Sequence, residues 1–286
     1  MTPELMQIET TTACNATCWM CPRDMATRST HANRMEERVF RKACREAADL
    51  GVTTILPFID GEPLADPTIL DKVEWLAAEL PAVEVGWFTN GSLLTEERAI
   101  RLLSAGNIRT LNVSVQGWDV ESYRKFQGLD WNITYPNIVR LCRLNEERGR
   151  PVRIQLQTCV GSEQRPHLDK IRALWGQLPV NLAPGTYTNF GGLSSADPNM
   201  ERMWDNVPRQ PCKRALKHVY VFWDGTVGQC CFDLVASIKY GNVSTQTLRE
   251  IWDSPLATRM RSAHERVSVS EMPLICRSCI APKFRG

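Results

Sequence analysis

The stretch ELMQIETTTACNATCWMCPRD, residues 4–24, runs from a β-prone opening into Cys14, Cys18 and Cys21, spaced C-x3-C-x2-C. Three thiols so close in sequence suit a metal, yet a structural zinc ion needs four protein ligands. The nearest further candidate, His31, lies ten residues beyond Cys21 in a polar segment. An iron-sulfur cube held by three thiolates leaves one iron open. The missing fourth ligand then becomes a binding position for a cofactor or substrate.

Working outward, short β-rich runs alternate with amphipathic stretches. The runs at 5–11, 53–59, 83–89, 109–115, 152–160 and 180–184 read as strands, and 36–50, 67–80, 95–105, 119–126, 134–148 and 165–178 as helices. Crossover helices between successive strands require parallel pairing, so the pattern predicts an α/β fold, a partial (β/α)6 barrel with ligands at the carboxyl ends of its strands. A Gly, Ser, Pro and Asp-rich stretch, 191–211, reads as a linker. Beyond it, HVYVFWDGTVGQCC (218–231) has a hairpin's signature around Asp224-Gly225, a helix is expected near 246–262, and CRSC closes at 276–279. The expected domains are 1–192, a linker at 193–211, and a hairpin-helix unit at 212–286. Cys212, Cys230, Cys276 and Cys279 give that unit four thiols, which suit tetrahedral zinc and an iron-sulfur cluster equally well.

Composition sets the context. The chain has 286 residues and a net charge of +2, with basic and acidic residues intermixed, so no field for nucleic acid exists. No signal peptide or membrane span is evident, which predicts a soluble cytoplasmic protein without nucleic acid or membrane partners. Eleven cysteines in that setting point to metal or redox use rather than disulfides. Cys44 and Cys142 fall within helical periodicity and read as buried structural thiols. His167, His218 and His264 read as surface or packing residues. Trp87, Trp118 and Trp223 read as core aromatics that could stack on a sugar.

The CNATCWMC loop after a first strand resembles that of the radical S-adenosylmethionine (SAM) superfamily. DGEP (60–63) is similar to its GGEP motif, TNGSLL (89–94) to its third-strand ending and VSVQG (113–117) to its fourth strand, with Asp60, Gln116 and Met20 departing from the commonest residues. The resemblance implies a [4Fe-4S] cluster on Cys14, Cys18 and Cys21 whose open iron chelates SAM, with Glu62 on the SAM amino group and Asn90, Ser114 and Gln116 as further cofactor contacts. Reductive cleavage of SAM would give a 5'-deoxyadenosyl radical, using an external one-electron reductant such as flavodoxin or ferredoxin. The spacing Cys212-x12-Gly225-x4-Cys230, a gap and Cys276-x2-Cys279 resembles the twitch domain, a shortened SPASM extension. It implies one auxiliary [4Fe-4S] cluster with four protein ligands, since the sequence stops before the further cysteines of a full SPASM domain.

The fifth strand speaks to chemistry. Alternation puts Val152, Ile154, Leu156 and Val160 on one face and Arg153, Gln155, Gln157 and Cys159 on the other; likewise Asn112, Ser114 and Gln116 oppose Leu111, Val113 and Val115. So polar an interior suits a small, hydroxyl-rich substrate. Cys159 is a candidate hydrogen-atom donor, Cys231 its reserve, and Arg153 a candidate to assist loss of a hydroxyl proton. Twitch enzymes of this resemblance act on sugars, aminoglycosides, cyclitols or peptides. Little sequence precedes the first strand to hold a leader peptide, which turns the expectation toward a sugar or aminoglycoside. Epimerisation of a carbinol carbon is the first expectation and dehydrogenation the second. A peptide-modifying enzyme and a non-catalytic metal-binding protein are the further alternatives.

Overall fold

The computed structural model describes residues 1–23 and 33–281; His31 lies outside them. In chain order the elements are β1 (Leu5–Ile8), α1 (Glu37–Asp49), β2 (Thr54–Leu56), α2 (Ile69–Glu79), β3 (Glu84–Thr89), α3 (Glu96–Ser104), β4 (Ile108–Ser114), α4 (Val120–Gln127), α5 (Trp131–Glu147), β5 (Arg153–Val160), α6 (Leu168–Trp175) and β6 (Asn181–Thr186). There follow α7 (Pro198–Arg202), α8 (Lys213–Lys217), β7 (His218–Val221), β8 (Thr226–Gly228), β9 (Lys239–Asn242), α9 (Leu248–Trp252), α10 (Pro255–Glu265) and α11 (Leu274–Ser278). The six strands expected in the first 192 residues are all present, and the fold is mixed α/β with parallel strands joined by crossover helices. No helix of the described residues is long and apolar enough to cross a membrane.

The chain forms two compact units. One comprises 14–21 and 62–187. Its strands β3 to β6 pair in sequence order, all parallel. Burial along β5 alternates as period two demands: Ile154, Leu156, Thr158 and Val160 are buried while Gln155, Gln157 and Cys159 are half-buried. Trp87, Leu111, Val113, Leu141 and Leu156 are fully buried, each worth about 1.5–3 kcal/mol for leaving water. Helix α4 is stopped by Gly128, whose left-handed φ of 68° suits glycine at that position. Cys142, buried as expected, is pushed up to about 12 by that burial.

The other unit comprises 1–13, 22–61 and 188–286. Here β1 lies between β2 and β7, parallel to both, and β7, β8 and β9 continue as an antiparallel meander. The hairpin is thus an extension of the first strand's own sheet. Helix α1 binds the same segment: Lys42 donates to the carbonyls of Val243 and Gln246 at 2.7 Å, and Glu46 accepts from Leu248 N–H at 2.8 Å.

Two differences from the sequence reading have local causes. The stretch 193–211, expected as a linker, contains α7, capped by Asp197 on Met200 N–H at 3.1 Å, with Met200 buried. The compact units are divided at 13/14, 21/22, 61/62 and 187/188. The single helix expected at 246–262 is two, because Pro255 has no N–H to continue α9 and instead starts α10 behind its Ser254 cap.

Candidate functional sites

The Cys14–Cys21 loop is held by backbone. Thr17 N–H donates to Gln127 C=O at 3.1 Å and Trp19 N–H to Phe126 C=O at 3.0 Å, so the loop takes up the last carbonyls of α4. A Cβ on Gly128 would stand 1.8 Å from the Thr17 hydroxyl, which reserves that position for glycine twice over. Trp19 stacks on Tyr187 with ring centroids 5.6 Å apart and meets Phe126 edge-on. Cys14 and Cys18 pack against buried Ala16, Tyr123 and Leu129. Cys18 is pushed far up, first by burial and then by the charges of Cys21, Cys14 and Cys159. A thiol placed like Cys18 gives up its proton readily only to a cationic group, which an iron-sulfur cluster would supply.

Glu62 follows, at 2% exposure. Its carboxylate accepts from Leu64 N–H at 3.1 Å, Thr89 Oγ1 at 2.7 Å and Asn90 N–H at 2.7 Å. Burial nevertheless raises it above its ordinary value, because three neutral donors only partly replace water. Asn90 is engaged in the protein: its Nδ2 donates to Asn15 Oδ1 at 2.9 Å, and its Oδ1 accepts from the backbone and side chain of Ser92. It therefore ties the end of β3 to the cysteine loop.

Gln116 is likewise committed. Its Oε1 accepts from Cys159 N–H at 3.0 Å, and its own N–H donates to Gln127 Oε1 at 2.8 Å. Gln127 Nε2 in turn donates to Ser114 C=O at 2.8 Å. Thus α4, which carries the cysteine loop, also fixes the ends of β4 and β5. Gln127 was invisible in sequence because its partners are main-chain groups. Replacing it by leucine orphans the Gln116 N–H and the Ser114 C=O, at about 1–3 kcal/mol each; a lowered thermal midpoint is expected, and an unchanged one would refute the tie.

The polar face of β5 is partly self-satisfied. Gln157 donates to Asn112 at 3.1 Å, and Asn112 to Trp87 C=O at 3.0 Å. Cys159 pairs in register with Gly185 of β6, which presents no side chain beside it. Arg153 does not join this site. It is exposed at the opposite end of β5, paired with Thr110, and six residues of strand separate it from Cys159 by about 20 Å. Alternation fixed its face correctly but ignored its height along the strand.

In the other unit, Cys212, Cys230, Cys276 and Cys279 line one cavity, with Arg214, Gln229, Phe232 and His264. Cys212 caps α8, Cys230 follows β8, and Cys276 and Cys279 lie in and just after α11. Among the described residues no three metal-binding side chains are drawn into a single-ion shell. Burial, then the charges of Cys230 and Cys212, pushes Cys279 up to about 12; burial first also raises Cys276, followed by Cys230, Cys279 and Cys212. Four thiols opposing one another's ionisation fit a cationic group between them. Residues of the expected linker serve this site: Arg209 donates to the carbonyls of Arg277 and Cys279, both at 2.9 Å. Cys231 is hydrogen-bonded to Cys230, which lowers it, and Arg214 lowers it further against the opposing effect of burial.

A family model described as the Radical SAM superfamily matches residues 8–169, and one described as an iron-sulfur cluster-binding domain, SPASM, matches 212–280. Among curated proteins the chain is 31% identical over 184 residues to a probable GTP 3',8-cyclase of Methanosarcina mazei, covering 62% of this chain and 53% of that protein. It is 32% identical over 127 residues to an AdoMet-dependent heme synthase of Methanosarcina barkeri, covering 44% and 35%. The chain thus spans about half or less of these relatives. Among solved structures, BtrN in complex with AdoMet and 2-DOIA has a TM-score of 0.68 at 19% identity, covering 98% of this chain and 93% of that one. SuiB of Streptococcus suis bound to precursor peptide SuiA gives 0.73 at 15% identity, covering 91% and 67%. These likenesses concern the fold.

Proposed function

The chain belongs to the radical SAM superfamily, and from that premise we propose that it is an epimerase inverting a carbinol carbon of a sugar, aminoglycoside or similar polyol. It is an enzyme with an auxiliary-cluster domain, and its cofactors are SAM, a SAM-binding [4Fe-4S] cluster and an auxiliary [4Fe-4S] cluster. In this reading Cys14, Cys18 and Cys21 hold the first cluster, Glu62 the amino group of SAM, and Cys212, Cys230, Cys276 and Cys279 the second cluster. When bound, the first cluster and SAM supply a 5'-deoxyadenosyl radical that takes a hydrogen atom from a carbinol C–H bond.

Cys159 then returns one. Its S–H bond breaks and a C–H bond forms on the opposite face of the substrate radical, which inverts the centre. The sulfur, left one electron short, regains its thiol from one electron of an external carrier, flavodoxin or ferredoxin in kind, and one proton. What supports this reading is the place of Cys159, the penultimate residue of β5 and so at the carboxyl end of its strand, in register with Gly185 of β6 and near enough to Cys18 to act on its ionisation. Asn90, Ser114 and Gln116 are the further SAM contacts of this reading, Asn90 and Gln116 being held in place by their hydrogen bonds to Asn15 and Cys159.

The four-thiol cavity favours a second reading, dehydrogenation, because a cluster fully held by protein has no open iron and suits electron transfer. The substrate radical would then give up an electron and its hydroxyl a proton, leaving a ketone. Turnover of a panel of aminoglycosides and cyclitols in deuterated water separates the two. Epimerisation predicts one deuterium at the reacting carbon and, in Cys159→Ala, at least a 100-fold loss of inverted product while 5'-deoxyadenosine still forms. Unchanged epimer yield would remove Cys159 from its role. A changed iron content in Cys159→Ala would mean that it ligates iron instead.

A further inference from the structure

Helix α10 buries Ala257, Met260, Arg261, Ala263 and His264, and Arg261 is satisfied by donating to Trp252 C=O at 2.6 Å. A histidine at 1% exposure is costly on such a face unless its ring nitrogens are bonded. Its Nε2 is buried and has no hydrogen-bond partner in the protein, and the residue lines the cavity of Cys212, Cys230, Cys276 and Cys279. Simple packing does not account for it, since leucine or methionine would fill the same volume without leaving a polar atom unpaired. A neutral imidazole carries one N–H and one lone pair, and a sulfur-rich cluster is an acceptor for that N–H.

We infer that His264 donates a hydrogen bond from Nε2 to the auxiliary cluster or one of its cysteine sulfurs, and so sets the cluster's reduction potential. The inference rests on reading those four cysteines as the cluster's ligands. Its direction follows from charge. Reduction adds an electron to the cluster, and a donor aimed at its sulfurs stabilises the more negative state. The histidine therefore raises the potential and makes the cluster a better electron acceptor. It is a positioning and tuning residue, not one that touches substrate.

The test is an anaerobic redox titration of the reconstituted full chain, followed by electron paramagnetic resonance. His264→Leu is expected to keep about eight irons, leave the first cluster's midpoint unmoved, and lower the auxiliary midpoint by a factor of about ten in the redox equilibrium, which is about 59 mV for one electron. His264→Gln, which retains an N–H donor, is expected to recover most of that shift. An unchanged auxiliary midpoint in a fully loaded His264→Leu protein overturns the inference, as does a Gln variant displaced as far as Leu. Should the Leu variant lose iron, His264→Met is judged by the same midpoint. The ligand reading is checked separately by iron count in Cys276→Ala: undiminished iron there defeats that reading, whereas a loss of about four irons with an unmoved His264→Leu midpoint defeats only the role of His264.

Discussion

A chain with Cys14, Cys18 and Cys21 all replaced by alanine is expected to hold about four irons after anaerobic reconstitution, where the native chain holds about eight, and to form no 5'-deoxyadenosine. The loss should be confined to chemistry. The loop's shape comes from the main-chain bonds of Thr17 and Trp19 to the end of α4 and from Trp19 on Tyr187, none of which uses a thiol. Compared without their clusters, the two chains should therefore differ little in secondary structure and melting. Iron and acid-labile sulfide per chain, with zinc measured alongside, decide the matter. About four irons falling to none, with zinc retained, would make the C-terminal four a zinc site. The dehydrogenase reading and the tuning role of His264 would then both go. An undiminished iron content would remove the three cysteines from the first site altogether.

Local chemistry explains what the sequence made legible. Alternating hydrophobicity located β3 to β6 and assigned the faces of β5, since period two follows from the strand itself. Cysteine spacing announced both thiol groups, and the four of the second group do line one cavity. What escaped depends on non-local pairing. Nothing in HVYVFW says that β7 lies parallel to β1, more than two hundred residues earlier in the chain. Polar residues expected to face ligand also bond within the protein. Gln116 serves Cys159 N–H and Asn90 serves Asn15, and a glutamine's partner cannot be told from its letter. Arg153 was misplaced because a face is not a height. His264 looked like packing, and only its unpaired nitrogen beside four thiols sets it apart.

Replacing Glu62 is expected to weaken SAM binding about 30- to 1,000-fold, the loss of about 2–4 kcal/mol that follows removal of one partner from a buried charged hydrogen bond. Its folded-state value lies above the ordinary 4.5, with burial the leading cause. For a carboxyl so raised, the folded chain binds the proton more tightly than the unfolded one. The group's favourable contribution is therefore complete below 4.5 and is lost as pH rises through the raised value. An ammonium group placed against it acts the other way and pulls that value down. SAM binding should then expel a proton from Glu62, and affinity should rise with pH across the same window. Glu62→Gln keeps the side chain's volume but carries no charge, so its affinity should be low and lack that dependence. The amide also sets an N–H2 among three donors, so a melt of each variant must accompany the binding curve. Anaerobic calorimetry of SAM with the reconstituted chain at several pH values measures both effects. Equal affinities and equal pH slopes in native and Glu62→Gln proteins would assign the SAM amino group to another residue and leave Glu62 as a structural clamp on Thr89 and Asn90.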